Sequence, residues 1–118
     1  MPADTNAYGD IFGGWLMSQA DIAGSTVAIQ AARGRVATVA VKEFRFRAPV
    51  LVGDLVDLYA RVRHVGHTSV TVDVRAWTRR EPDPSSRQHV ADALITYVAI
   101  GRGGRPRPVR GDSTVRSA

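Results

Sequence analysis

At 118 residues the chain is a single domain, long enough to bury a core, and 44% hydrophobic with 23% charged residues is ordinary globular composition. It contains no cysteine, which excludes a disulfide framework, a thiol nucleophile and a thiolate metal site. No apolar run approaches the roughly 20 residues needed to span a bilayer and no secretory leader is visible, so a soluble cytoplasmic protein without a membrane partner is expected.

The formal net charge of +5 admits two kinds of anionic partner, nucleic acid or a small phosphorylated ligand. Much of the excess lies after residue 101, where Arg102, Arg105, Arg107, Arg110 and Arg116 are set against Asp112 among glycines and prolines. That composition reads as a basic, flexible, solvated tail over 102–118, following a domain at 1–101. Nucleic acid is therefore disfavoured as a partner.

In chain order, residues 1–12 lack periodicity and are rich in Asp, Asn, Gly and Pro, the composition of a loop. From Gly13 to about Ala32 the pattern is helical, with Leu16, Ala20, Ala23, Val27 and Ala31 forming a buried stripe of mostly small side chains. Arg33-Gly34 closes that helix as a cationic last turn followed by glycine.

The remainder reads as strand. Val36 to Ala48 is β-branched and aromatic, and Pro49 with Gly53-Asp54 marks a turn. Val56, Leu58, Ala60 and Val62 then alternate with polar residues, as do Val70, Val72, Val74 and Ala76. Gly66-His67 between those runs fits a tight hairpin with glycine at the first turn position. Residues 80–88 are expected as a polar loop, and a last, more central strand runs from about His89 to Ile100. One helix followed by four strands is an α+β architecture, an antiparallel sheet curled around a single helix. Such a sheet leaves edges and a face that call for a partner, so at least a dimer is expected.

The chemistry concentrates in Gly9-Asp10-Ile11-Phe12-Gly13-Gly14-Trp15 and the run through Asp21. Gly13 and Gly14 at a helix start would leave backbone N–H groups bare, and those donors suit an oxygen that develops negative charge. Asp21 would supply a base or a nucleophile. Together they outline an acyl-transfer site, although Asp10 equally suits a plain capping acid, and close packing alone is the lesser reading of the glycines. Gly14 and Asp21 are seven residues apart, hence on nearly one helix face but roughly 10 Å apart along the axis. One reacting carbonyl group cannot touch both. Two helices packed antiparallel across a twofold would set Gly14 of one protomer opposite Asp21 of the other.

Pro2-Ala3-Asp4-Thr5-Asn6, Gly9 to Trp15 and Met17-Ser18-Gln19-Ala20-Asp21 resemble the signature of hotdog-fold acyl-CoA thioesterases of the YciA type. The likeness continues through Gly34 to Val41, Pro49-Val50-Leu51-Val52-Gly53-Asp54 and the final strand, over roughly residues 1–108. The resemblance implies hydrolysis of acyl-CoA to a free acid and CoA, a central helix wrapped by the sheet, and dimers that share active sites, commonly as a trimer of dimers (a hexamer). No cofactor and no metal are expected.

Carried over by residue, the resemblance makes Asp21 the catalytic acid and Gly13 or Gly14 the source of the backbone N–H that polarises the carbonyl. Asp10 falls close to the site. Contacts to CoA map loosely onto Gly66, His67, Thr68 and Ser69, with Arg45 and Arg47 as candidates for its phosphates. Two departures stand out: the family's strand ahead of the Met1-Pro2 block has no counterpart in this sequence, through either a short start or a truncated sequence, and Phe44 to Pro49 is more basic than in relatives.

A hydrolase of this kind needs an aimed nucleophile and donors for the oxyanion, and removing one such donor costs about 10²–10³ in rate in other enzymes. Asp21 could activate water or attack directly to give an anhydride; the residues leave both routes open. Two alternatives remain. An acyl-CoA-binding sensor would have no need of an acid facing a thioester. An enoyl-CoA hydratase would want an Asp and a His near the helix start, and no histidine precedes His64.

Overall fold

The structure, a computed structural model, describes residues 2–109, with side chains from Phe12 onward. The order is a helix α1 (Pro2–Ala32), then strands β1 (Val36–Phe46), β2 (Leu55–Val65), β3 (Ser69–Arg80) and β4 (Asp83–Ala99), and a short 3-10 turn at Arg102–Gly104. The four strands form one antiparallel sheet in the order β1-β4-β3-β2, with α1 packed on one face.

The helix begins at Pro2, not at Gly13 as the sequence suggests. Asp, Asn, Thr and Gly in that stretch each disfavour helix by at most about 1 kcal/mol, and extending a helix already nucleated is easier than starting one. Proline also suits a first helical position, where its missing N–H is not needed. At the other end Arg33, rather than the expected glycine, takes the left-handed conformation (φ 56°). The N–H of Gly34 then reaches back to the carbonyl of Ile29 at 3.2 Å, which ends the helix in a Schellman-type cap. Gly34 has a different use: a side chain there would begin 2.7 Å from the Arg107 guanidinium, which donates to the Ala32 carbonyl at 2.8 Å.

The helix buries Leu16, Ala20, Ala28 and Ala32 completely, with Gly24 in the same row. Ala23, Val27 and Ala31 flank that row, partly buried. These small residues let α1 lie close to Val70, Val72 and Val74 of β3 and to Ala93, Ile95, Tyr97 and Ala99 of β4. β4, the strand read as central, lies between β1 and β3 and alternates strictly from Ala91 onward.

Residues 80–88 are not a loop. β3 and β4 pair as far as Arg80 opposite Asp83, so only Glu81 and Pro82 turn the chain. The Ser86 hydroxyl fastens the turn, accepting from the Arg80 N–H at 2.6 Å. This hairpin end meets solvent on both faces, so it needs no apolar alternation to be a strand. At Gly66 the register puts Val65 opposite Val70, so His67 and Thr68 form the turn and Gly66 is its first flanking residue rather than its first central one.

The expected tail also divides differently. Residues 102–109 lie on the domain: Ile100 bridges Pro106, Val109 is 5% exposed, and its N–H donates to the His67 carbonyl at 2.8 Å. A single buried valine and a capping arginine hold a segment whose composition looks solvated. Residues 110–118 of that expected tail lie outside the described residues.

Candidate active site

Asp21 sits at the edge of the buried row of α1, half-buried, over the strand pair β1–β4. Thr38 of the edge strand β1 donates its hydroxyl to Oδ1 of Asp21 at 2.8 Å. Tyr97, directly opposite Thr38 on β4, donates its phenol to the main-chain carbonyl of the same aspartate at 2.8 Å. The acid is thus held on both its side chain and its backbone by two residues of one cross-strand pair. Burial, reinforced by the negative charge of Asp21, pushes the Tyr97 phenol well above its ordinary pKa, so it remains a neutral donor.

Gly24, one turn beyond Asp21, makes this geometry possible. A Cβ there would lie 2.4 Å from the Tyr97 oxygen, a distance at which the two atoms cannot coexist. Neither Thr38, Tyr97 nor Gly24 was singled out from the sequence. A glycine inside a helical pattern is the one signal that could have pointed here, because it costs about 1 kcal/mol against alanine and asks for a packing reason.

Gly13 and Gly14 lie inside α1 and not at its start. In an unbroken helix their N–H groups point at carbonyls four residues earlier, so in this chain they are not the bare donors of a helix terminus. Gly13 packs against the Phe46 ring, 3.4 Å from where a Cβ would be, whereas a Cβ at Gly14 would meet nothing within 4 Å among the described residues. The side chain of Asp10 lies outside the described residues; its backbone is helical rather than looped.

The residues expected to contact CoA are not brought together within one chain. Gly66, His67, Thr68 and Ser69 form the β2–β3 turn, and Ser69 stands opposite Val98 of β4. Arg45 stands opposite Asp92, roughly 20 Å away along that strand. Arg45 also points to the sheet face opposite α1, into an open groove of about 690 Å³ shared with Arg61, Arg63 and Arg75. Arg47 is engaged in an ion pair with Asp92, which also bonds His89 Nε2 at 2.7 Å. Burial of Asp92 opposes its ionisation, but the bonds from Arg47 and His89 win and hold its carboxyl below the usual range. Among the described residues no three His, Cys, Asp or Glu side chains converge, and no helix is long and apolar enough to cross a membrane.

The sequence profile of the thioesterase superfamily matches residues 8–84. The acyl-CoA thioester hydrolase YciA of Salmonella typhimurium is 49% identical over 111 residues, covering 92% of this chain and 84% of the relative. That of Escherichia coli is 50% identical over 109 residues, covering 91% and 83%. Among solved structures, the hexameric thioesterase y2039 from Yersinia pestis is 49% identical with a TM-score of 0.76, over 92% of this chain and 87% of that one. HI0827, a hexameric broad-specificity acyl-coenzyme A thioesterase, is 41% identical with a TM-score of 0.78, over 100% and 82%. A hexameric hotdog-fold thioesterase of Campylobacter jejuni is 36% identical with a TM-score of 0.80, over 100% and 91%. With Asp21 on its central helix and the sheet wrapped against it, this chain belongs to the thioesterase superfamily and has its hotdog fold.

Proposed function

We propose that the protein is an acyl-CoA thioesterase, releasing a free carboxylic acid and CoA, with Asp21 as its general base or nucleophile. The observation that carries this reading is the clamp on Asp21. A carboxylate fixed by Thr38 at 2.8 Å, with its peptide held by Tyr97, is aimed rather than free. The 49–50% identity to acyl-CoA thioester hydrolases over nine-tenths of the chain supports the substrate class.

The second half of the site comes from a partner subunit. Gly14 costs about 1 kcal/mol inside a helix, yet none of the described side chains requires it. A backbone position that no described neighbour fills is suited to close approach by substrate, and in this reading the Gly14 N–H leaves its helical carbonyl partner to take the thioester oxygen. Trp15, Ile22 and Ile29, spaced one heptad apart, are 46%, 59% and 44% exposed and form a second apolar stripe on α1. The edge strand β1 is paired on one side only among the described residues, with Val39 and Val41 exposed. Both features fit a twofold dimer with paired β1 edges and antiparallel helices, which sets Gly14 of one protomer near Asp21 of the other. The hexameric state of several relatives suits three such dimers. In this arrangement the β2–β3 turn at Gly66, His67, Thr68 and Ser69, and the arginines at 45 and 47, are the candidates for CoA contacts, from different subunits.

The test is thiol release from a panel of acyl-CoAs (C2 to C16, straight and aromatic) by wild type and Asp21→Ala. The expected result is turnover by wild type and a loss of at least about 10³ in the variant. Turnover retained within tenfold by a folded Asp21→Ala would remove Asp21 from the mechanism.

A further inference from the structure

Tyr97 is the largest fully buried side chain among the described residues, set in a core of alanine, valine and isoleucine. A phenylalanine would fill the same space without a polar atom to satisfy, so the phenol oxygen needs a use. Its partner is neither solvent nor a strand carbonyl but the carbonyl of Asp21, in the middle of a helix where that group already has its own helical donor. The oxygen reaches it only because position 24 has no side chain.

Apolar contacts do not provide this kind of constraint. The methyl groups of Ala20, Ala28 and Ala32 attract the sheet without direction, and they tolerate a slide of α1 by a fraction of an ångström. A 2.8 Å hydrogen bond seated in a notch does not. We infer that Tyr97, in the notch left by Gly24, is a positioning residue for the reaction: it pins α1 to β4 at the peptide carrying Asp21 and sets the height and rotation at which the carboxylate meets the thioester. This rests on the reading of Asp21 as the catalytic acid. Misplacement of a reacting group by about 1 Å costs on the order of 10² in rate, so a partial release of the pin should cost about tenfold.

The experiment compares wild type, Tyr97→Phe, Asp21→Ala and the core control Ile95→Val in steady-state thiol release, using the acyl-CoA of the panel that wild type turns over best. Expected are a kcat about tenfold lower for Tyr97→Phe with KM within twofold, and an unchanged kcat for Ile95→Val, whose side chain shares the same core. Gly24→Ala should lower kcat further, by driving a methyl into the phenol. The double variant Tyr97→Phe/Gly24→Ala should regain thermal stability over Gly24→Ala while keeping the low kcat. If Asp21→Ala is inactive while Tyr97→Phe turns over within twofold of wild type, the positioning role is wrong and the catalytic acid stands. If Asp21→Ala is active, the catalytic reading itself fails. An Ile95→Val defect equal to that of Tyr97→Phe would reduce the effect to general core softness and overturn the inference. Should Tyr97→Phe not fold, a Gly24→Ala variant with full kcat would overturn it as well.

Discussion

Thr38→Val tests the clamp on Asp21 where it is most exposed. Valine keeps the β-branched shape of threonine and its fit to a strand, and removes only the hydroxyl that donates to Oδ1 at 2.8 Å. A hydrogen bond to a charged group is worth about 1.5–3 kcal/mol, which alone would mean a factor of ten to more than a hundred. Thr38 lies at the surface, however, and water can replace part of what is lost, so the lower end applies. The expected effect is a fall in kcat of about tenfold with little change in KM, because the hydroxyl aims the acid rather than holding substrate. Thr38→Ser keeps the donor and should stay within about threefold of wild type. Initial rates of thiol release against acyl-CoA concentration separate the two parameters. Full kcat in Thr38→Val, or an equal loss in Thr38→Ser, would refute the claim that this hydroxyl orients Asp21.

Three further outcomes are expected. Mixing Asp21→Ala with a Gly14→Val variant should restore about a quarter of wild-type activity, since half of randomly paired dimers are mixed and each has one intact site; no recovery after verified subunit exchange would put both residues in one chain's site. The Asp92 carboxyl is held below its usual pKa by Arg47 and His89, despite burial, so its contribution to stability is present above the unfolded-state value and lost as pH falls through the folded one. Asp92→Asn should therefore lower Tm at neutral pH and flatten its decline on the acid side, and an unchanged Tm–pH curve would deny that contribution. Val109→Ala, at a site 5% exposed, should cost about 2 kcal/mol and several degrees of Tm, whereas no shift would mean that residues 102–109 are not docked.

Those segments also show what was legible in the residues alone. Strand alternation placed Val70, Val72, Val74 and Ala76 inside correctly, because one face of β3 is buried and a single-residue slip would expose all of them. The hairpin end at 83–88 carries no such signal, since neither face is buried and its pairing rests on backbone bonds that any side chain permits. The docking of Val109 depends on one apolar residue among arginines and prolines, too little for periodicity to register. At the candidate site, the motif points to Asp21 but not to the two residues that hold it, Thr38 and Tyr97. Thr38 and Tyr97 look like ordinary strand residues until β1 and β4 are paired, and that pairing joins positions far apart in sequence.

The same long-range logic underlies the proposal that the site is completed by a second chain. An oxyanion donor and an acid on one helix, about 10 Å apart, cannot serve a single carbonyl, whatever the side chains around them. Moving them together along α1 would sacrifice either the glycine pair or the buried row from Leu16 to Ala32 that holds the helix to the sheet. A twofold axis resolves the conflict without altering the helix, because antiparallel copies bring the two ends of the spacing face to face. The features that look costly in the isolated chain then belong to one design: the unused glycine, the exposed heptad of Trp15, Ile22 and Ile29, and the open β1 edge. If the proposed dimer holds, catalysis and assembly draw on the same residues, so a variant that weakens the dimer should lose activity in proportion to the dimers it loses, with the surviving dimers turning over normally.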